Sequence, residues 1–314
     1  MKTYKMLPQI STSLLVAIFV LFFLEYCSPK NETFTSYRAK TLSRSVAKSA
    51  PEKIHITTHK TIRIDQYFQF LDSIVNKYDS ITAYPLSEHL LVRANPWIID
   101  TLKNTDYYYM KTRDSFIYNQ KEMIVFPKGA TLVLPDSTRA KQLLESFKKT
   151  RLSVNIPEFK LRIFMDTLRL YEFPVRVGRN EKKFLKMAGR MVDLKTETGS
   201  GTIVKHVRNP DYHNPVSGQQ YLVTKRDDGK ITKLPQIPFI ETEINGIRNG
   251  QLIHPTTNPI TLGKASSNGC IGTKEADAWV IYYYAPIGTK ININYNLNVT
   301  DATGKKSVIQ DIYK

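Results

Sequence analysis

His254 and Cys270 are the two side chains whose types and spacing are suited to nucleophilic chemistry. The first stretch reads Gly250-Gln251-Leu252-Ile253-His254-Pro255-Thr256-Thr257. The second reads Gly263-Lys264-Ala265-Ser266-Ser267-Asn268-Gly269-Cys270-Ile271-Gly272. A thiol attacks as its thiolate, and a neighbouring imidazole lowers the cost of forming it. Gly269 allows a sharp turn that aims backbone N–H groups at a developing oxyanion. Asn268 and Ser267 are candidates for shaping that turn or holding substrate. The chain has only 2 cysteines, Cys27 and Cys270. If Cys27 belongs to an N-terminal signal, Cys270 is a free thiol, and a functional nucleophile and a buried, inert cysteine both remain open readings.

The elements around these residues are β-rich. Leu161–Asp166 and Leu168–Gly178 read as strands joined by a tight turn near Asp166, a β-hairpin. Further strands are expected at 201–207, 221–224, 241–247, 250–254 and 288–295, with one helix over 274–284 facing the core through Ala278, Ile281 and Tyr282. Residues 152–297 are thus expected to form a β-rich sandwich or partly closed barrel, a mainly β catalytic domain. A small α+β module precedes it over 53–135, with Phe68, Leu71 and Val75 on one face of a helix. A basic linker helix over 136–151 joins the two, and 298–314 form a C-terminal tail.

The N-terminus carries an address. Lys2 and Lys5 precede an apolar run from Ile10 to Leu24, short for a membrane span and shaped like an export signal. Residues 1–27 are read as a signal peptide or anchor, with Cys27 as a candidate lipidation site, and polar residues 28–52 as a flexible spacer. The net charge of +17 suits an anionic partner or a solvated surface. No zinc-finger or RNA-binding signature is present, and an export signal argues against nucleic acid. His55, His59 and His89 have no metal-ligand spacing, so neither metal nor cofactor is expected.

The run IHPTTNPITLGKASSNGCIG resembles the catalytic motif of the L,D-transpeptidase family, the YkuD-type domain. VNIPEFKLRIF, FPVRVGR, TGSGTI, RNPDYHNPV and ADAWVIYYYAPIGTKI are similar to its strands, turn, Asn-Pro segment and closing helix. More weakly, residues 53–135 resemble a LysM-type glycan-binding module with residues 103–122 inserted. The family resemblance implies a cysteine acyltransferase acting on peptidoglycan stem peptides in the periplasm or cell envelope. In that reading D-alanine leaves, a thioester forms on Cys270, and an amine acceptor gives a 3→3 cross-link. It also implies acylation by carbapenems. Water as acceptor makes the enzyme a carboxypeptidase or hydrolase, and a silent wall-binding lipoprotein is the non-enzymatic alternative. Two positions depart from the family pattern. Pro255 stands where many members have glycine, yet keeps the carbonyl that orients the imidazole. Gly272 stands where many members have a carboxylate-binding arginine, which leaves that task to another cation or implies a different acceptor. His206 and His213, flanking Asn209-Pro210, are candidate substrate contacts. The stretch Arg176–Arg190 is either a hold for anionic stem peptides or a solvated face.

Lipid-precursor labelling checks the address. Wild-type protein should take up the label, and Cys27→Ser should remove both label and membrane retention.

Overall fold

The computed structural model describes residues 53–185, 189–213, 217–301 and 303–314. The expected signal at 1–27, Cys27 and the spacer at 28–52 lie outside the described residues. The described residues contain no helix long and apolar enough to cross a membrane.

Eight strands make the main sheet: β1 (Thr150–Asn155), β2 (Lys160–Met165), β3 (Leu168–Pro174), β4 (Gly199–Val207), β5 (Phe239–Ile244), β6 (Leu252–Pro255), β7 (Ile271–Thr273) and β8 (Lys290–Asn294). Their spatial order is β7-β6-β5-β4-β8-β1-β2-β3. The pairs β6–β7 and β8–β1 are parallel and the others antiparallel. Alternate residues turn inward, as the two-residue period of a strand requires. Leu152, Val154, Leu161, Ile163, Ile203, Ile240, Ile244, Ile253, Ile291 and Ile293 are all buried.

The sheet almost closes on itself. Just past β3, Arg176 forms an antiparallel bridge with Gly272 of β7. Arg176 N donates to Gly272 O at 2.9 Å and Gly272 N to Arg176 O at 3.0 Å. The two edge strands therefore meet, giving the mainly β, partly closed architecture expected from the strand pattern.

Five helices precede the sheet: α1 (Ile64–Tyr78), α2 (Glu88–Ala94), α3 (Trp97–Lys103), α4 (Tyr107–Lys111) and α5 (Ser137–Lys149). Short two-stranded ladders pair His55–Thr57 with Thr131–Val133 and Ile62–Arg63 with Ile124–Phe126. The buried face of α1 is Ile64, Tyr67, Phe68, Leu71 and Ile74, wider than the Phe68/Leu71/Val75 stripe expected, and Val75 sits at its margin. Helix α5 starts at an Asp136 cap, whose carboxylate accepts from Arg139 N at 2.8 Å. Leu143 and Ala140 are buried, so the helix packs against the core.

The buried side chains of the N-terminal module and of the sheet form one continuous core. Helix α6 (Glu275–Tyr284) is its centre, with Trp279, Tyr282 and Tyr283 almost wholly buried. Buried aromatic rings remove large apolar areas from water but need partners for their polar tips. The Tyr67 and Tyr283 hydroxyls lie 2.6 Å apart, and Tyr283 donates to Glu88 Oε1 at 3.0 Å. Arg208 pairs with Glu88 and, at 2.8 Å, with Asp72.

Residues 103–122 also serve α6. Lys274 offers no side-chain cap. Asp106 supplies one from far upstream, accepting from Ala276 N at 2.8 Å while also capping α4 through Tyr108 N at 2.8 Å. Beside it Glu275 accepts from Tyr107 N at 3.0 Å and pairs with Arg226, and both charged side chains are buried. Burial pushes Glu275 up to about 7, against the pull of Arg226.

Removing one member of a buried pair strands the other charge, at a cost of about 3–5 kcal/mol. Glu275→Ala should therefore lower stability by roughly that amount in urea unfolding. A loss below about 1 kcal/mol would mean that Arg226 readily finds water.

Candidate active site

The sixteen-residue interval between His254 and Cys270 has a topological cause. His254 lies on β6 and Cys270 immediately precedes β7, and the two strands run parallel. A parallel pair cannot be joined by a tight turn and needs a crossover of about a dozen residues or more. Residues 256–270 are that crossover, so the sequence spacing is folded into spatial adjacency.

The register sets which way the side chains face. Ile253 pairs with Ile271 and His254 with Gly272. Paired residues share a face, and residues two apart along a strand share a face. Cys270, His254 and Leu252 therefore project from one face of the sheet, Ile253 and Ile271 from the other. Arg176, bridged to Gly272, joins the row with His254 and Cys270.

His254 Nδ1 lies 2.9 Å from Pro255 O. Because that carbonyl can only accept, Nδ1 carries the proton and Nε2 keeps its lone pair. Phe239 packs against the ring at 5.1 Å between centroids, and Tyr212 packs on Phe239 at 5.7 Å. Burial, with a smaller push from Arg176, lowers the imidazole to about 4, so it is neutral and basic at pH 7. Among the described residues no carboxylate pairs with it; Glu275 is committed to Arg226 and Tyr107 N.

Cys270 is a free, half-buried thiol. Burial pushes it up, opposed by a hydrogen bond with the Leu252 backbone and by the Arg176 charge. The turn before it is held on both sides. Ser267 donates to Cys270 O at 2.5 Å. Thr196 Oγ1 donates to Gly269 O at 2.9 Å and accepts from Gly178 N at 2.8 Å. Tyr313 extends this support, accepting from Thr196 N at 3.2 Å and donating to Gly178 O at 2.7 Å. Gly269 has φ +104°, a backbone that side-chain-bearing residues rarely adopt. With its carbonyl tied back to Thr196, the trans peptide directs the Cys270 N–H the opposite way. Among the described residues neither Gly269 N–H nor Cys270 N–H has an intramolecular acceptor. These two donors are free for an oxyanion. The Asn268 side-chain oxygen accepts from Arg179.

His206 falls on the other face of the sheet. His206 pairs with Ile240, which pairs with Ile253, so it projects from the face opposite His254. There it stacks on His89 at 5.1 Å and on Tyr282 at 4.6 Å, with Nε2 3.0 Å from Ala285 O. Burial lowers it to about 4, and it belongs to the packing under α6. His213 is exposed, bridged to Gln220, with Nδ1 3.3 Å from Gly218 O. The residues missed in the sequence are Thr196 and Tyr313, both remote along the chain and carrying no motif of their own; Arg176 was legible only as the start of the cationic stretch 176–190, with nothing to single it out there. Tyr108, from residues 103–122, also reaches the crossover: its hydroxyl lies 3.1 Å from Thr257 O. Among the described residues no group of His, Cys, Asp and Glu is placed to hold a metal ion.

The family model described as the L,D-transpeptidase catalytic domain, YkuD, matches residues 149–293. No curated protein matches the chain. Among solved structures, similarity is found with an L,D-transpeptidase from Mycobacterium tuberculosis H37Rv, at 18% identity, 46% of this chain, 57% of that one and TM-score 0.31. One from Xylanimonas cellulosilytica DSM 15894 gives 14% identity, 60% of this chain, 79% of that one and TM-score 0.34. L,D-transpeptidase 3 from Mycobacterium tuberculosis, in complex with a faropenem-derived adduct, gives 18%, 46%, 60% and 0.30. The chain thus spans 57% of the first of these.

An imidazole lowered to about 4 predicts the acid side of the pH profile. The group is a neutral base above that value and is lost as a base below it. The acid limb of Cys270 acylation by a chromogenic β-lactam should fall near pH 4. An inflection near the ordinary histidine value of about 6.5 would contradict this environment. In the same assay His254→Gln should cost about 100-fold or more, and Pro255→Gly, which keeps the carbonyl, only a few-fold.

Proposed function

Residues 149–293 are a YkuD-type L,D-transpeptidase catalytic domain, and on that premise we propose that this protein is a cell-wall cysteine acyltransferase. The observation that carries the reading is the shared face of Cys270 and His254, with Nδ1 committed to Pro255 O and Nε2 free. A neutral imidazole beside a neutral thiol is the resting form that general-base activation requires.

The proposed reaction begins as Nε2 of His254 takes the Cys270 proton. The thiolate attacks the carbonyl joining the third, L-residue to the fourth, D-residue of a stem tetrapeptide. Charge that develops on the carbonyl oxygen is received by the free Gly269 and Cys270 N–H groups. Collapse breaks the C–N bond, and His254 returns the proton to the departing D-alanine amine. The acyl group remains as a thioester on Cys270. An amine from a second stem then attacks, His254 accepts its proton, and the thiolate leaves to give the 3→3 cross-link. Water as acceptor would give the tripeptide.

The enzyme is placed in the cell envelope, with residues 1–27 as its export signal and Cys27 as a lipid tether. The 53–135 module, sharing the core of the catalytic sheet, is its structural support and a candidate glycan contact.

The test is mass spectrometry of purified wall fragments incubated with the protein. Cross-linked dimers with loss of D-alanine are expected, tripeptide alone would make the enzyme a carboxypeptidase, and no product would sink both. Cys270→Ala should abolish turnover and leave the melting temperature unchanged. A carbapenem presents a strained carbonyl to the same nucleophile and should add its mass to the wild type, with the adduct on the Cys270 peptide. An adduct that persists in Cys270→Ala would place the chemistry elsewhere.

A further inference from the structure

Where the sheet closes, Gly272 leaves a gap that another residue's side chain fills. A Cβ built on Gly272 would lie 2.5 Å from Nε, 2.7 Å from Cγ and 3.0 Å from Cδ of Arg176. Gly272 does not have the left-handed backbone that would by itself favour glycine. What excludes a side chain at 272 is the stem of Arg176 lying across it. The bridge between the two residues pins the arginine backbone, and its side chain shares the face of His254 and Cys270.

The guanidinium is held there without a counter-ion. Arg176 Nε is buried with no hydrogen-bond partner, and among the described residues Arg176 makes no ion pair. Elsewhere in the fold Arg162, Arg169, Arg179, Arg208 and Arg226 all have carboxylate partners. Arginine cannot relieve its burial by losing a proton. The residue is half-buried, and a partly desolvated charge with an unpartnered Nε is costly unless something compensates it. The Cys270 thiol does not do so at rest, because burial keeps it protonated at neutral pH. An anion arriving from outside would supply that partner, and the interaction between Arg176 and Cys270 places it beside the thiol. The planar fork of a guanidinium matches a carboxylate through two parallel hydrogen bonds.

We propose that Arg176 recognises a carboxylate of the acyl donor, one borne next to the carbonyl that Cys270 attacks. The arginine and the glycine are a single device: the cation reaches the site from the strand across the seam, and position 272 stays bare to admit it. The proposal deepens the acyl-transfer reading of Cys270 and rests on it.

The test uses two alkylating reagents of nearly equal size. Iodoacetate carries a carboxylate next to its reactive carbon, and iodoacetamide is neutral. Each forms a C–S bond at Cys270 and releases iodide. Rates are read by mass spectrometry on the Cys270 peptide of the full chain, so Cys27 does not interfere. Losing a charge-assisted hydrogen bond costs about 1.5–3 kcal/mol, so Arg176→Gln should lower the iodoacetate/iodoacetamide rate ratio by about ten-fold or more. Arg176→Lys keeps the charge but loses the fork, and should retain part of the preference. Combining Arg176→Ala with Gly272→Arg puts the cation in the vacated space and should restore it. An unchanged ratio in Arg176→Gln overturns the proposal. So does an equal slowing with both reagents, which would make Arg176 a partner of the thiolate alone. If Arg176→Gln fails to fold, Arg176→Lys and the double variant decide on the same criterion. A parallel comparison uses tetrapeptide donors ending in a carboxylate or an amide. Failure of the wild type to turn over either peptide would sink the transpeptidase reading, while the alkylation ratio would still judge Arg176.

Discussion

Two backbone hydrogen bonds between Arg176 and Gly272 join the ends of an eight-stranded sheet, and the site depends on that closure. Without it β7 would be an edge strand, and Cys270 would stand at an unsupported rim. Edge strands are where pairing slips most easily, and a slip of one residue turns every side chain to the other face. Here β7 is paired on one side with β6 and bridged on the other by Arg176. Its register is fixed from both sides, and the faces of Cys270 and His254 follow from that.

The support behind the site comes from outside the catalytic segment. Asp106 caps α6, which follows β7 after Lys274, and Tyr108 reaches the crossover at Thr257. At the other end of the chain, Tyr313 braces the Thr196 contact that holds the Gly269 carbonyl. Glycine's freedom at Gly269 leaves the turn undetermined by its own backbone, so its geometry has to be held by its neighbours. Residues 103–122 and the C-terminal Tyr313 supply part of those surroundings.

The electrostatics of the site follow from burial. Each titratable group is held in its neutral form at pH 7: the thiol is raised and the imidazole lowered. Arg176 lowers both, favouring the thiolate and the neutral base together. A resting thiolate–imidazolium pair is thereby disfavoured. Replacing a carboxylate partner with the Pro255 carbonyl is consistent with this, because a second buried charge beside the imidazole would need its own compensation.

Cys270 and His254 as a candidate pair, and the β-rich class around them, were legible in the residues alone. Their signals are local: a His-Pro strand end, a Ser-Asn-Gly-Cys turn, and apolar residues alternating with a period of two. The helix over 274–284 and the face of α1 were legible for the same reason, though the buried face of α1 proved wider because it meets α6 as well as its own module. The remaining features came only with the tertiary structure. His206 and His213 stand near each other in sequence, yet His206 lies under α6 on the far face and His213 on the surface; the face of a residue depends on strand register, which no local pattern encodes. Arg176 and Gly272 are far apart in the chain, and each is ordinary in its own segment. That one fills the space the other leaves is a property of the closed sheet, because only closure brings their backbones into hydrogen-bond contact.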